Sequence, residues 1–269
     1  MTRTVTTAPT ATATEPVVLS EIRDRVGILT LNRPRVRNAL DLQLREEMQR
    51  VLKEFDADPA VRAVVLMGAG GSFCSGQDLK AAAAGEPMYR DRAAQQSAFN
   101  RTSVRKPVIA AVQGHCLAGG FELALSCDLI VADRDASFGL PEVRRNLVAV
   151  GGGLIRLPLR IPYHRAMELA LTGEPVGAEK MAEWGVVSRV VDPGTAPGAA
   201  VDLGRLIGRN GPTAVRATKE IVRRAHAWGS EADAFDAQLA AAEPAFSSPD
   251  RKEGVAAFLE KRDPVWTCD

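Results

Sequence analysis

Histidine is scarce in this chain: His115, His164 and His226 stand far apart, and no metal cluster is visible from their spacing. The four cysteines (Cys74, Cys116, Cys127 and Cys268) show no C-x-x-C pair, and three lie in or beside apolar segments. That usage suits reduced thiols in a cytoplasmic protein rather than a disulfide framework. Net charge is only +1, which gives no reason to expect nucleic acid or an anionic membrane as partner. No apolar run approaches the length of a transmembrane helix. What remains is ordinary for a globular chain: 269 residues, 46% hydrophobic and 25% charged, enough to bury a sizeable core.

Residues 1–15 form a Thr/Ala tract with no packing pattern, read as a disordered tail. A transit peptide is the alternative, since no acid precedes Glu15, but only Arg3 is basic. Val17–Ser20 and Val26–Leu31 flank the polar segment EIRDR and predict a β-hairpin. After the basic loop NRPRVRNAL, Asp41 is placed to cap a helix over Leu42–Phe55, with Leu44, Met48, Val51, Leu52 and Phe55 on its apolar face. A strand over Val61–Met67 leads into the loop GAGGSFCSGQDLK and an Ala-rich helix. A further helix is expected over Arg92–Val104. Val108–Val112 and Leu129–Ala132 read as buried strands around a helix at Phe121–Ser126.

Strand, glycine-rich loop and helix thus occur at 61–84 and again at 106–127, with the hairpin and first helix as a looser copy. Such alternation predicts an α/β core over 16–198. Beyond Val150 the pattern turns helical, at Gly151–Leu159, Tyr163–Thr172, Ala178–Glu183 and Ala199–Asn210, broken by a short strand at Val186–Val191. Helices at Thr213–Ala227, Ala232–Ala242 and Arg251–Lys261 complete a C-terminal helical region, 199–269.

Two carboxylates stand out. Glu122 lies in an otherwise apolar helix, and Glu142 follows Pro141 at the start of the next segment. A carboxylate among core residues is costly unless paired, neutralised or used, and two brought together have their pKa values pushed apart. Each has a plain structural reading too: a solvated helix face for Glu122, and capping chemistry for the Pro-Glu pair. The glycine-rich loops shift the balance. Gly76-Gln77-Asp78 and Gly119-Gly120-Phe121 each precede a helix, where free backbone N–H groups favour anions. Two such donors aimed at one point would make an oxyanion hole.

Four stretches then carry a resemblance: NRPRVRNAL (32–40), SFCSGQDLK (72–80), GHCLAGGFELALSCD (114–128), and FGLPEV (138–143) followed by GGG. In this order and spacing they resemble the enoyl-CoA hydratase/isomerase (crotonase) superfamily, over nearly the whole chain from about Val17. The resemblance implies an α/β fold, a spiral of repeated ββα units followed by a helical C-terminal trimerisation region. It also implies that the Gln77 and Gly119 N–H groups bind a thioester oxygen and stabilise an enolate. Glu122 and Glu142 fall where hydratases of the family keep both catalytic glutamates, Glu142 supplying a proton to C2 and Glu122 orienting the attacking water. Coenzyme A enters as part of the substrate, with no tightly bound cofactor. Arg35, Arg37 and Lys80 are candidates for its phosphates, and Ser75, Gly76, Asp78, Leu79, Lys80 and Gly120 for its channel. Phe258 and Lys261 resemble C-terminal positions that reach the CoA of a neighbouring subunit, in a trimer or dimer of trimers.

The chain departs from the family pattern at Gln77, a place commonly held by a small residue, and at Arg144 and Arg145, which suit a polar acyl group or solvent. Asn146 and Val150 stand where glycine is frequent. Isomerases, carnitinyl-CoA-type dehydratases and aromatic-degradation isomerases of the same superfamily are the nearest alternatives to a hydratase. A nicotinamide dehydrogenase fails because Phe73 occupies the third glycine position of G-x-G-x-x-G. A serine hydrolase lacks its G-x-S-x-G. A non-catalytic acyl-CoA binder would need neither glutamate.

Overall fold

The computed structural model describes residues 15–102 and 104–267. The expected tail therefore lies outside the described residues except for Glu15. Strand β1 (Val18–Arg23) and β2 (Val26–Leu31) form the expected antiparallel hairpin. It turns on two residues, Asp24 and Arg25, both at positive φ. Left-handed conformation at both positions of a two-residue turn matches the twist of the flanking strands. So Glu21–Arg23, read from sequence as part of the connection, continue the strand.

Helix α1 (Leu42–Ala57) starts where Asp41 accepts a hydrogen bond from the Leu44 N–H, and it buries the five apolar residues expected of it. Then follow β3 (Ala63–Gly68), α2 (Leu79–Ala83), α3 (Arg92–Ser97), β4 (Val108–Val112), β5 (His115–Leu117), α4 (Gly119–Ala124), β6 (Leu129–Asp133) and β7 (Ser137–Gly139). Next come α5 (Gly153–Arg156), α6 (Tyr163–Thr172), β8 (Val176–Gly177), α7 (Ala178–Glu183) and β9 (Arg189–Val191). The chain closes with α8 (Ala196–Gly208), α9 (Pro212–Arg224), α10 (Glu231–Phe246) and α11 (Pro249–Glu260).

The strands make two sheets. A six-stranded sheet runs β1-β2-β3-β4-β6-β9, parallel apart from the hairpin, and a smaller one runs β5-β7-β8. This is the expected α/β spiral of ββα units. Alternate residues of the central strands face opposite layers. Val64 and Leu66 of β3 join the core formed with α1, Phe121 and Phe138, whereas Val65 joins Val26, Ile109 and Val131 beneath α8.

Three expectations need correction. The helix expected over Arg92–Val104 ends at Ser97, because Ala98 turns extended and the chain bends to bury Phe99 and Val104. The strand expected from Val186 begins at Arg189; the Val186 and Val187 N–H groups instead bond the Met181 carbonyl that ends α7. Gly151–Leu159 gives only the short α5 and a 3-10 turn containing Pro158.

Asp133 shows how the second face is tied down. It is 2% exposed, and its carboxylate accepts hydrogen bonds from the Ala196 N–H (2.8 Å), the Gly194 N–H (2.7 Å) and the Gln113 amide (3.0 Å). It thus caps α8 from the end of β6. Truncating it strips three charge-assisted bonds and leaves buried donors unmet, so Asp133→Ala is expected to cost roughly 3 kcal/mol in urea unfolding. A change under about 0.5 kcal/mol would show that α8 is held by its apolar face alone.

Candidate active site

Two strand-to-helix loops meet beside one cavity. The first, between β3 and α2, is anchored by Asn38, which is fully buried and left-handed at φ 55°. Its Nδ2 donates to the carbonyls of Ala69 (3.0 Å) and Ser72 (2.7 Å), and its Oδ1 accepts from the Arg33 N–H at 2.9 Å. Arg33 in turn pairs with Asp41 (2.9 Å) and Asp78 (3.1 Å), the residues that cap α1 and α2. The first loop then pairs with its neighbours, Leu40 bridging Gln77 and Cys74 bridging Cys116. The second loop reaches α4 through Ala118, held at φ 52° and ψ −130°. A non-glycine residue in that region is strained, and such strain persists where surrounding structure over-determines it.

The two loops touch at Gly76. A Cβ there would stand 2.6 Å from the Ala118 Cβ and 3.0 Å from the Gly119 nitrogen. The Gln77 and Gly119 N–H groups, on either side of this contact, donate to no other group among the described residues. Both residues line the cavity, whose volume is about 1030 Å³. Two unspent backbone donors on adjacent loops are what an anion or a polarised carbonyl oxygen requires.

Both carboxylates singled out from sequence line the same cavity. Glu122, on α4, is 6% exposed, and its Oε1 accepts a hydrogen bond from the Gly153 N–H at 2.9 Å. Burial raises its pKa, while the Gly153 and Gly151 N–H groups and the charges of Arg156 and Arg45 pull it back. Glu142 sits in a 3-10 turn, Pro141–Arg145, with Oε2 buried and without a hydrogen-bond partner among the described residues. Desolvation, with a smaller contribution from the Glu122 charge, raises it to about 7. The two acids therefore differ: Glu122, raised by burial, is held by the Gly153 N–H, whereas Glu142, raised to about 7, keeps part of its population protonated near neutral pH.

The remaining sequence candidates divide. Ser75, Asp78, Leu79 and Lys80 line the cavity, although Asp78 is already engaged with Arg33 and the α2 N-terminus. Gly76 and Gly120 do not line it. Gly76 provides the loop contact just described, and Gly120 packs α4 against the Cys74 carbonyl. Arg35 and Arg37 lie in the exposed 3-10 turn at Pro34–Val36 and its cap, outside the lining. Phe258 and Lys261, in α11 and at its C-cap, are likewise outside the lining formed by this one chain. Arg144 pairs with Glu174 and bonds the Thr172 carbonyl, fixing the turn that carries Glu142, whereas Arg145 and Val150 line the cavity. Asn146 adopts the left-handed conformation its type suggested, at φ 54°.

Sequence reasoning passed over Asn38, Asn100 and Arg45. Asn100 donates to the Gly151 carbonyl (3.1 Å) and accepts from the Tyr89 hydroxyl (3.3 Å), which ties α3's far end to the loop holding Glu122. Asn38 sat in plain view before a helix cap. Nothing local marked its carbonyl partners, Ala69, Ser72 and Phe73.

Among the described residues no group of His, Cys, Asp and Glu could hold a metal, and no helix is long and apolar enough to cross a membrane. Cys74, Cys116 and Cys127 are buried free thiols, all raised by desolvation, Cys74 to about 11. None is suited to act as a nucleophile.

Comparison with known proteins adds four findings. A family model described as enoyl-CoA hydratase/isomerase matches residues 21–269. The chain is 39% identical over 256 residues to a mevalonyl-coenzyme A hydratase of Aspergillus fumigatus, covering 89% of this chain and 90% of that protein. It is 41% identical over 248 residues to a carnitinyl-CoA dehydratase of Escherichia coli, covering 88% and 93%. Among solved structures it resembles an enoyl-CoA hydratase from Mycobacterium tuberculosis H37Rv, with a TM-score of 0.90, 48% identity, and coverage of 94% of this chain and 99% of that one.

Proposed function

The chain belongs to the enoyl-CoA hydratase/isomerase family, and from that premise we propose that it is an enoyl-CoA hydratase, adding water across the 2,3 double bond of a 2-enoyl-CoA thioester. The observation that carries the reading is the pair of cavity carboxylates in different electrostatic settings beside two free N–H donors. The thioester oxygen accepts from the Gln77 and Gly119 N–H groups. Ionised Glu122 takes a proton from water as the water oxygen bonds to C3, and the negative charge moves onto the thioester oxygen. That charge is what the two donors stabilise, each worth roughly 2.7–4 kcal/mol in the transition state. Neutral Glu142 gives its proton to C2 as the enolate collapses. The proton on Glu122 then returns to Glu142 through solvent, and the product is the 3-hydroxyacyl thioester.

Ser75 and Lys80 are the cavity-lining candidates for coenzyme A within one chain. Arg35, Arg37, Phe258 and Lys261 require an extended or neighbouring site. A trimer or dimer of trimers built through the C-terminal helices would provide it. The exposed Phe235, Leu239, Val255, Phe258 and Leu259 of α10 and α11 support self-association.

A 2-enoyl-CoA incubated in heavy-oxygen water tests the reaction class. Hydration places the label on C3 of the product. A shifted double bond with no label would replace the hydratase reading with an isomerase.

The pH dependence follows from Glu142. Its folded pKa, about 7, lies above the ordinary carboxylate value, so the folded state holds a proton that the unfolded state has lost. This favours the fold at low pH and is lost as pH rises toward about 7. The same loss removes the proton donor, so kcat/KM is expected to decline as pH rises through about 7. A profile still rising well beyond that pH would assign the donor elsewhere.

A further inference from the structure

Arg45 reaches the cavity from α1, and its environment does not answer its charge. The guanidinium makes no ion pair among the described residues. One terminal nitrogen donates to the Gln77 Oε1 at 2.5 Å, and the group stands 5.6 Å from the centre of the Tyr89 ring. Its Nε is buried without a hydrogen-bond partner among the described residues. One turn on, on the same helix face, Gln49 also lines the cavity and its Oε1 is buried without a partner.

Of the five acids along the cavity, Glu142 makes no ion pair with Arg45 among the described residues, and the other four are committed elsewhere, Glu86 accepting from the Leu42 N–H at 2.7 Å. Glu46 pairs with Arg90 at 2.7 Å, Asp78 with Arg33 at 3.1 Å, and Glu122 accepts from the Gly153 N–H. Glu122 attracts Arg45 through space without touching it. A part-buried guanidinium touched only by a neutral amide and a ring face is costly, and such a cation calls for an anion. Its planar fork matches a carboxylate. Gln49 can offer its amide NH2 to the same group.

Arg45 also lies beside the reacting end of the cavity. It touches the side chain of Gln77, and Tyr89, under its guanidinium, is hydrogen-bonded to the Asn100 that holds the Gly151 carbonyl. A ligand whose carbonyl oxygen sits on the Gln77 N–H therefore places its acyl chain near this cation.

We propose that Arg45, assisted by Gln49, selects acyl groups that end in a carboxylate, so that the substrate class is the CoA monothioester of an unsaturated dicarboxylic acid. The turnover part of this inference rests on the hydratase reading; the binding part does not. The same cation disfavours acyl groups that carry a quaternary ammonium.

The test uses the full-length protein and two ligand ladders: glutaryl-, adipyl- and suberyl-CoA against butyryl-, hexanoyl- and octanoyl-CoA. Binding is measured by calorimetry, and turnover with the matching 2-enoyl thioesters. One charge-assisted pair predicts that wild type binds the best dicarboxylic thioester on the order of tenfold to hundredfold more tightly than its alkyl counterpart. Arg45→Met is expected to erase that difference, and Arg45→Lys, which keeps the charge but not the fork, to retain part of it. A wild type that binds both ladders alike, or an Arg45→Met variant that keeps the discrimination, overturns the inference. Discrimination in binding with no hydration of any enoyl thioester would sink the hydratase reading and leave the Arg45 assignment standing. Hydration without discrimination would do the reverse.

Discussion

Glu142→Gln is expected to lower kcat for enoyl-CoA hydration by on the order of 10²–10⁴-fold, the range for losing a positioned general acid. The amide keeps the size and polarity of the side chain but has no proton to give to C2. Folding should not suffer. The Glu142 Oε2 has no hydrogen-bond partner to lose, and the charged form is already disfavoured by burial. Thermal unfolding near neutral pH is therefore expected to be unchanged or slightly raised, which separates lost chemistry from lost structure. Glu122→Gln should fall as far by a different route. Its amide can still accept from the Gly153 N–H, now at 2.9 Å from Oε1, but it cannot take a proton from water. Because the two acids act on one water and one enolate, the double variant should fall little further than the worse single one. Multiplicative losses would mean that the two residues contribute independently of one another.

Gly76→Ala is the second change with a large expected effect, and it acts through the backbone. Gly76 has φ 96°, a conformation costly for any residue with a Cβ. The added methyl would also meet the Ala118 Cβ at 2.6 Å and the Gly119 nitrogen at 3.0 Å. Neither neighbour can yield without moving the second loop, since Ala118 is held by its own N–H to the Gly139 carbonyl at 2.8 Å. The loops must part, and the Gln77 and Gly119 donors part with them. Loss of one oxyanion donor typically costs 10²–10³-fold in kcat, and this variant should lose about that much. A transition-state analogue should weaken in proportion while a CoA fragment lacking the thioester should not. A near-normal kcat would show that the donors lie elsewhere.

Much of the fold could be read from local pattern because its central elements obey local rules. The five apolar residues of α1 recur at helical spacing behind a capping Asp41, and β4 is an unbroken apolar run. The second sheet was not legible. β5 and β7 have three residues each, too few to display a period, and they exist because they pair with one another across the α4 loop. The end of α3 was misjudged for a related reason. Nothing near Ser97 forbids a longer helix, and the burial of Phe99 decides the matter from outside.

The candidate site was half legible. Glu122 was visible as an acid in an apolar helix, and the glycines before it marked a tight approach of backbone. Its contrast with Glu142 was not visible, since it arises from the Gly153 N–H reaching Glu122 across 31 residues of sequence. Nothing in the sequence singles out Arg45 on its amphipathic helix. Only the packing of Gln77 and Tyr89 around it turns that residue into a cation facing a cavity.

The most direct test of the two-carboxylate account follows the ultraviolet absorbance of a conjugated enoyl-CoA thioester with wild type, Glu122→Ala and Glu142→Ala side by side. The account predicts that the enone signal decays with wild type as the 3-hydroxyacyl-CoA appears, and that it persists with either variant while acyl-CoA binding is retained. Decay that continues at a comparable rate in Glu142→Ala, or a wild type that binds enoyl-CoA thioesters and leaves every one of them unchanged, would contradict it.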